Sequence, residues 1–261
     1  MTMEVSGMGM MMGAGEESKM ETTGTIVDPS GLTVVSLSKM DPSGMLTKVL
    51  SSMASGGGEE GGASGESQPM SVGCKFSDVK LRLADGTEVP AKLIMKEPDL
   101  DLAFIMPEKT GEGRKFNYIN LADSGTVVVL DDLFTLGRFG KALNFQPAIG
   151  KMYVAGVVAK PRLSYAVNDA GDLGVPAFTA AGKLVGICTL KPDVEGGTMA
   201  MIMKGIEASR GGRQSIILPA IDVQNAAKQA LAHKDDKKEQ EGKKDESQEA
   251  KKDSKTKKSV K

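Results

Sequence analysis

The sequence predicts an all-β domain closed by one C-terminal helix. Three observations carry that expectation. Short apolar runs rich in β-branched residues recur along the chain, about eleven in all. Turn residues separate them, as in Asp28-Pro29-Ser30-Gly31, Ala84-Asp85-Gly86 and Ala181-Gly182-Lys183. Helical spacing comes late, after Pro219, with Ile221, Ala227, Ala230 and Leu231 near one face. Periodicity alone leaves sandwich and barrel open.

Composition bounds the function classes. Of the 261 residues 40% are apolar, enough for a real core, with 4% aromatic and no tryptophan. The 33 basic and 34 acidic residues nearly cancel, which argues against a chain-wide nucleic-acid binder. Two cysteines, Cys74 and Cys188, do not make a disulfide framework, although their spacing leaves a single bridge open. Cys188 lies in an apolar strand pattern and is expected to be a small buried hydrophobe. No apolar run approaches the roughly 18 residues needed to span a bilayer. A basic region followed by a hydrophobic stretch is missing from the N-terminus, so no secretion signal is visible.

Residues 1–19 are rich in methionine and glycine and are expected to be flexible. The thioethers of Met8, Met10, Met11 and Met12 are soft ligands, but no histidine or cysteine accompanies them, so no metal or cofactor is expected. Thr25–Val27 and Leu32–Leu37 flank the first turn as a hairpin. Residues 53–69, dominated by Gly, Ser and Glu, cannot bury enough apolar surface to order themselves and form an expected insert. Val79–Leu83 and Glu88–Met95 form a second hairpin about Asp85-Gly86, with Val79, Leu81 and Leu83 on the buried face. A polar turn at Lys96 leads into the apolar strand ending at Met106, and Val127–Leu136 and Met152–Ala159 are further strands. The loop Gly137–Gly150 joins these two. Gly171, Gly174 and Pro176 then punctuate a tight loop that feeds a hairpin over Ala177–Leu190. Met199–Met203 and Ser215–Leu218 add strands, separated by a solvated turn at Arg210–Arg213. The tail, 233–261, carries 11 lysines and 8 acidic residues, a mixture that suits disorder. The expected organisation is therefore a domain over 20–232 between two flexible ends.

Several stretches resemble trypsin-like serine proteases of the HtrA/DegP kind. GDLGVP at Gly171–Pro176 is similar to their nucleophile loop GNSGGP. GTIVDPSGLTVVSLS resembles their opening hairpin, whose second strand ends on the catalytic histidine. DLAFI resembles the strand headed by the catalytic aspartate, and Gly137-Arg138-Phe139-Gly140 resembles their GNPFG loop. Gly156-Val157-Val158 is similar to the strand before the nucleophile loop, and ILPAIDVQNAAKQAL to the closing helix. The resemblance implies the trypsin-like double β-barrel. It also implies three positions for a catalytic set: Ser38, Asp101 and Leu173. Gly171, Asp172 and Leu173 match the loop that binds an oxyanion, and Gln214, Ser215 and Ile216 match the strand that pairs with an extended peptide.

Peptide hydrolysis on this fold needs an attacking oxygen, an imidazole to carry its proton, and a carboxylate to hold the imidazole. Ser38 has no useful titration near neutral pH, Leu173 has no nucleophilic atom, and the chain's one histidine is His233. Asp101 alone is retained. Ser38-Lys39, read as strand neighbours, point to opposite faces and cannot form a serine–lysine pair. Asp172 could meet Asp101 only if the loop were rearranged, and Asp123-Ser124 is read as a surface turn. The sequence therefore points to a degenerate protease domain that binds or scaffolds an extended peptide or protein, with a purely structural relic as its rival. The other alternative is an active serine endopeptidase in protein quality control, working through an unusual site or a different register. With the charged tail following the closing helix directly, the family's C-terminal PDZ domain is not expected. The chain taken literally is cytoplasmic; as a fragment of a family member it would belong to the bacterial envelope.

Overall fold

The computed structural model describes residues 2–6, 17–41, 43, 73–108, 115–169, 171–191 and 215–233. The clustered methionines, the insert at 53–69, the strand at 199–203, the arginine turn at 210–213 and the tail from 234 lie outside these residues. Short strands β1 (Thr2–Ser6) and β2 (Glu17–Lys19) form a three-stranded sheet with β5 (Gly73–Ser77). The remaining strands make two larger units.

The first unit is a five-stranded half-barrel in the order β3-β4-β8-β7-β6. β3 (Gly24–Ile26) and β4 (Thr33–Ser36) are the expected opening hairpin. The Asp28 carboxylate accepts the Ser30 N–H at 2.9 Å, and Gly31 leaves the turn at φ 89°. α1 (Leu37–Met40) is a single helical turn after β4. β6 (Lys80–Arg82) and β7 (Glu88–Glu97) are the second hairpin, and β8 (Leu102–Pro107) is buried along its whole length. That burial matches its unbroken apolar sequence, because both faces of the strand are covered.

The second unit is a closed barrel, β10-β11-β14-β13-β12-β9. Its strands are β9 (Asp132–Arg138), β10 (Pro147–Val158), β11 (Ser164–Val167), β12 (Pro176–Thr179), β13 (Leu184–Leu190) and β14 (Ser215–Pro219). Helix α2 covers 220–233. Together these units form the trypsin-like double β-barrel with a C-terminal helix.

β13 explains why the two halves behave as one body. Alternate residues of a strand face opposite sides. Cys188 points into the closed barrel beside Leu133, Val154 and Ile217. Ile187 points the other way, into a core shared with Leu32, Leu102 and Phe104 of the half-barrel and Val223 and Ala226 of α2. One strand thus lines both cores. Among the described residues, no helix is long and apolar enough to cross a membrane.

Candidate functional site

The site is assembled where β4 turns into α1. Ser36 is the N-cap, with an extended backbone and a hydroxyl that accepts the Lys39 N–H at 3.4 Å. The same hydroxyl donates to Oδ2 of Asp101 at 2.8 Å. Asp101 closes the short turn Pro98–Leu100 in the left-handed conformation, φ 55°, which aims its side chain back at α1. Its Oδ1 accepts the Ser38 N–H at 2.7 Å, and its Oδ2 also accepts the Leu190 N–H from β13 at 3.0 Å. Burying a lone carboxylate would cost several kcal/mol. Three donors make the position of Asp101, which is only 5% exposed, tenable.

The glycine loop faces this cluster from the closed barrel. Gly174, at φ 80°, donates its N–H to the Cys188 carbonyl at 2.8 Å and accepts the Thr25 hydroxyl at 2.7 Å. A Cβ there would stand 2.6 Å from the Thr23 carbonyl oxygen and 3.2 Å from the Ser36 nitrogen. Glycine is therefore required both by angle and by space. Gly171 donates its N–H to Asp169 at 2.9 Å, and Leu173 donates its N–H to Asp172 at 3.0 Å. The Asp172 carboxylate also pairs with Lys39 Nζ, so α1 is tied to the loop. Cys188 behind it carries a free thiol, which burial, aided by the nearby Asp172 charge, pushes up to about 12.

These contacts bring Ser38, Asp101 and Leu173 to one place. Ser38 bonds Asp101 directly, and its hydroxyl lies 3.3 Å from that of Ser36. Leu173, buried, joins them through Asp172 and Lys39. Two residues that sequence reasoning passed over hold the arrangement. Ser36 has the composition signal of a helix cap; Leu190 contributes only its backbone and leaves no signal in side-chain patterns.

One expectation is corrected. Ser38 and Lys39 lie on the helical turn α1 rather than on a strand, because the Ser36 cap starts the turn. They still do not pair, since Lys39 Nζ is engaged by Asp172. Asp172 meets Lys39 rather than Asp101, as expected without a rearranged loop. Of the stretch matched to the peptide-pairing strand, Gln214 lies outside the described residues, Ser215 pairs with Leu190, and Ile216 pairs with Ala166 on one side and Thr189 on the other. Closure of the barrel leaves no edge at Ile216 for an added strand. Asp123 lies in a bend, 2.8 Å from Lys183 Nζ, and Ser124 forms an isolated parallel bridge with Leu184.

Chemically the cluster is saturated. The loop N–H groups of Gly171 and Leu173 already donate to carboxylates. The Ser36 hydroxyl is bonded and has no exposed surface. His233 sits at the far end of the described part of α2. Among the described residues, no three His, Cys, Asp or Glu side chains converge as a metal would require.

The profile of the trypsin-like peptidase domain matches residues 22–187, more than half of the sequence. The chain belongs to this family. It is 32% identical over 133 residues to a DegP-like periplasmic serine endoprotease of Bartonella henselae, a match covering 46% of this chain and 24% of that protein. A counterpart from Rhizobium meliloti is 33% identical over 122 residues, 45% of this chain and 24% of that one. The match thus spans about a quarter of the length of these relatives. Among solved structures, the MamO protease domain of Magnetospirillum magneticum is 17% identical, with TM-score 0.46 over 86% of this chain and 94% of that one. AlgW, an HtrA-type protease solved with a decapeptide, is 14% identical, with TM-score 0.47 over 86% of this chain and 55% of AlgW.

Proposed function

We propose that this chain is a protease-fold module that does not hydrolyse peptide bonds and serves to bind or scaffold a protein or extended peptide. The observation that carries the reading is the pair of residues flanking Asp101. By the sequence resemblance, Leu173 corresponds to the loop position of the attacking oxygen and Ser38 to the position of the proton carrier. Removing a member of such a set costs on the order of a millionfold in one serine protease. The occupied N–H groups of Gly171 and Leu173 add to this, because an oxyanion would have to displace a carboxylate from each. The fold and the glycine loop are kept while the reacting groups are gone, which fits a role in holding rather than cutting.

The runner-up is an active serine endopeptidase like the curated relatives. What favours it is Ser36, a hydroxyl bonded to a buried carboxylate. Its complete burial, and the lack of an imidazole among its described hydrogen-bond partners, weigh against it. A serine-directed fluorophosphonate probe separates the readings. The folded protein is expected to remain unlabelled under conditions that label an active trypsin control. Labelling that vanishes on heat denaturation would establish the runner-up.

A further inference from the structure

Helix α2 keeps a polar stripe beside its buried one. Asp222, Asn225, Ala226 and Gln229 stand at i, i+3, i+4 and i+7, on one face of the helix. Val223, Ala227 and Ala230 turn instead into the core shared by the two β units. Ala226 sits at the border, only 3% exposed, and its short side chain leaves the stripe indented. Together with Leu100 it floors a recess of about 240 Å³. Glu97, from the end of β7, and Arg162, from the loop between β10 and β11, complete the walls. The half-barrel, the closed barrel and α2 thus each contribute a charged side chain to one recess. A volume below the roughly 300–1,000 Å³ of drug-sized sites suits a smaller molecule.

The polar groups of this recess are not spent on one another. Among the described residues, Arg162, Glu97 and Asp222 form no ion pair and no side-chain hydrogen bond. Charges elsewhere on the surface do pair, as Arg82 does with Glu88 and Lys183 with Asp123. A guanidinium that shares a recess with two carboxylates, and is bonded to neither, leaves room for a molecule between them. Its N–H fork is shaped for a carboxylate, which it can hold through two parallel bonds. Glu97 and Asp222 can accept from an ammonium, and the amides of Asn225 and Gln229 both donate and accept.

The balance of charge selects the ligand. An inorganic anion would meet Arg162 but also two carboxylates, and a plain diamine would set its cations against Arg162. A neutral zwitterion would satisfy Arg162 and one carboxylate only. A molecule with one carboxylate and two amino groups answers all three charges. We propose that the recess between α2, Glu97 and Arg162 binds a free basic amino acid of the lysine type. Arg162 holds its carboxylate, and Glu97 and Asp222 hold its two amino groups. The site stands apart from the question of peptide hydrolysis, since none of these side chains belongs to the Asp101 cluster.

Titration of L-lysine into the full chain, followed by saturation-transfer NMR, tests this. Saturable binding is expected, with a dissociation constant that rises at least about tenfold in Arg162→Gln and in Asp222→Asn. Arg162→Lys, which keeps the charge but loses the fork, should fall between the parent and Arg162→Gln. Lys183→Gln removes the same charge away from the recess and should leave binding unchanged. Cadaverine lacks the carboxylate and Nα-acetyl-L-lysine lacks the α-ammonium, so each should bind at least about tenfold more weakly than L-lysine. Absence of saturable L-lysine binding, equal binding of either analogue, or indifference to Arg162→Gln or Asp222→Asn would each overturn the proposal. An equal loss in Lys183→Gln would overturn it as well, because overall charge rather than the recess would then attract the ligand.

Discussion

A carboxylate buried as deeply as that of Asp101 survives only when its oxygens are engaged, and its three donors come from both halves of the molecule. Asp101 is therefore a fastener, whatever else the fold once used it for. The Lys39–Asp172 pair is a second tie between α1 and the glycine loop, but both side chains are about one-third exposed. Solvent screening limits its worth to about 1 kcal/mol or less. Chemical denaturation of Lys39→Met, Asp172→Asn and the double variant should yield a coupling energy of that size; a coupling of several kcal/mol would mean that the pair holds the two halves together. Cys188 offers a sharper test. With its thiol pushed up to about 12, thiolate is scarce at pH 8, roughly one part in ten thousand. In a Cys74→Ser background, Cys188 should resist iodoacetamide at pH 8 until the protein is unfolded, as read by mass spectrometry. Rapid labelling of the folded protein would show that the glycine loop opens.

At the scale of elements, the legible parts are those where one physical rule acts alone. Alternation of Val79, Leu81 and Leu83 with Lys80 and Arg82 locates the second hairpin, and the unbroken run Leu102–Met106 locates a strand with two covered faces. The opening hairpin follows from its turn residues. Where rules compete, the sequence misleads. Val127–Leu136 reads as one strand, yet β9 begins at Asp132, because the Asp131 side chain captures the Val128 N–H and folds the preceding residues into a turn. β10 starts at Pro147 rather than Met152, since pairing with β9 extends through the segment read as loop. β11, four residues long, is too short for its pattern to stand out and depends on its neighbours β10 and β14. The Asp101 position was visible in its own strand, whereas the ties from Leu190 and Lys39 arise only from tertiary approach. The glycine loop shows this dependence on tertiary fit most clearly. Gly174→Ala would combine a disfavoured backbone angle with a Cβ 2.6 Å from a carbonyl oxygen, and should destabilise by roughly 2 kcal/mol or more. A melting temperature unchanged in this variant would mean that the loop is not packed on β3 and β4 as described.

On the scale of the whole molecule, a shared core makes the two β units and α2 mutually dependent. Leu184, Ile187 and Leu218 of the closed barrel pack with Phe104 of the half-barrel and Ala226 of α2. A cleft between such units is a rigid place in which to arrange reacting groups, and membership of the trypsin-like peptidase family is consistent with that geometry. In this chain the same frame presents a leucine, a serine and filled hydrogen-bond donors. The direct measurement is cleavage of casein by the purified full chain, compared with Ser38→Ala, which keeps the Ser38 N–H bond to Asp101. The account predicts no cleavage above background for either protein. Cleavage by the parent that disappears in Ser38→Ala would contradict it.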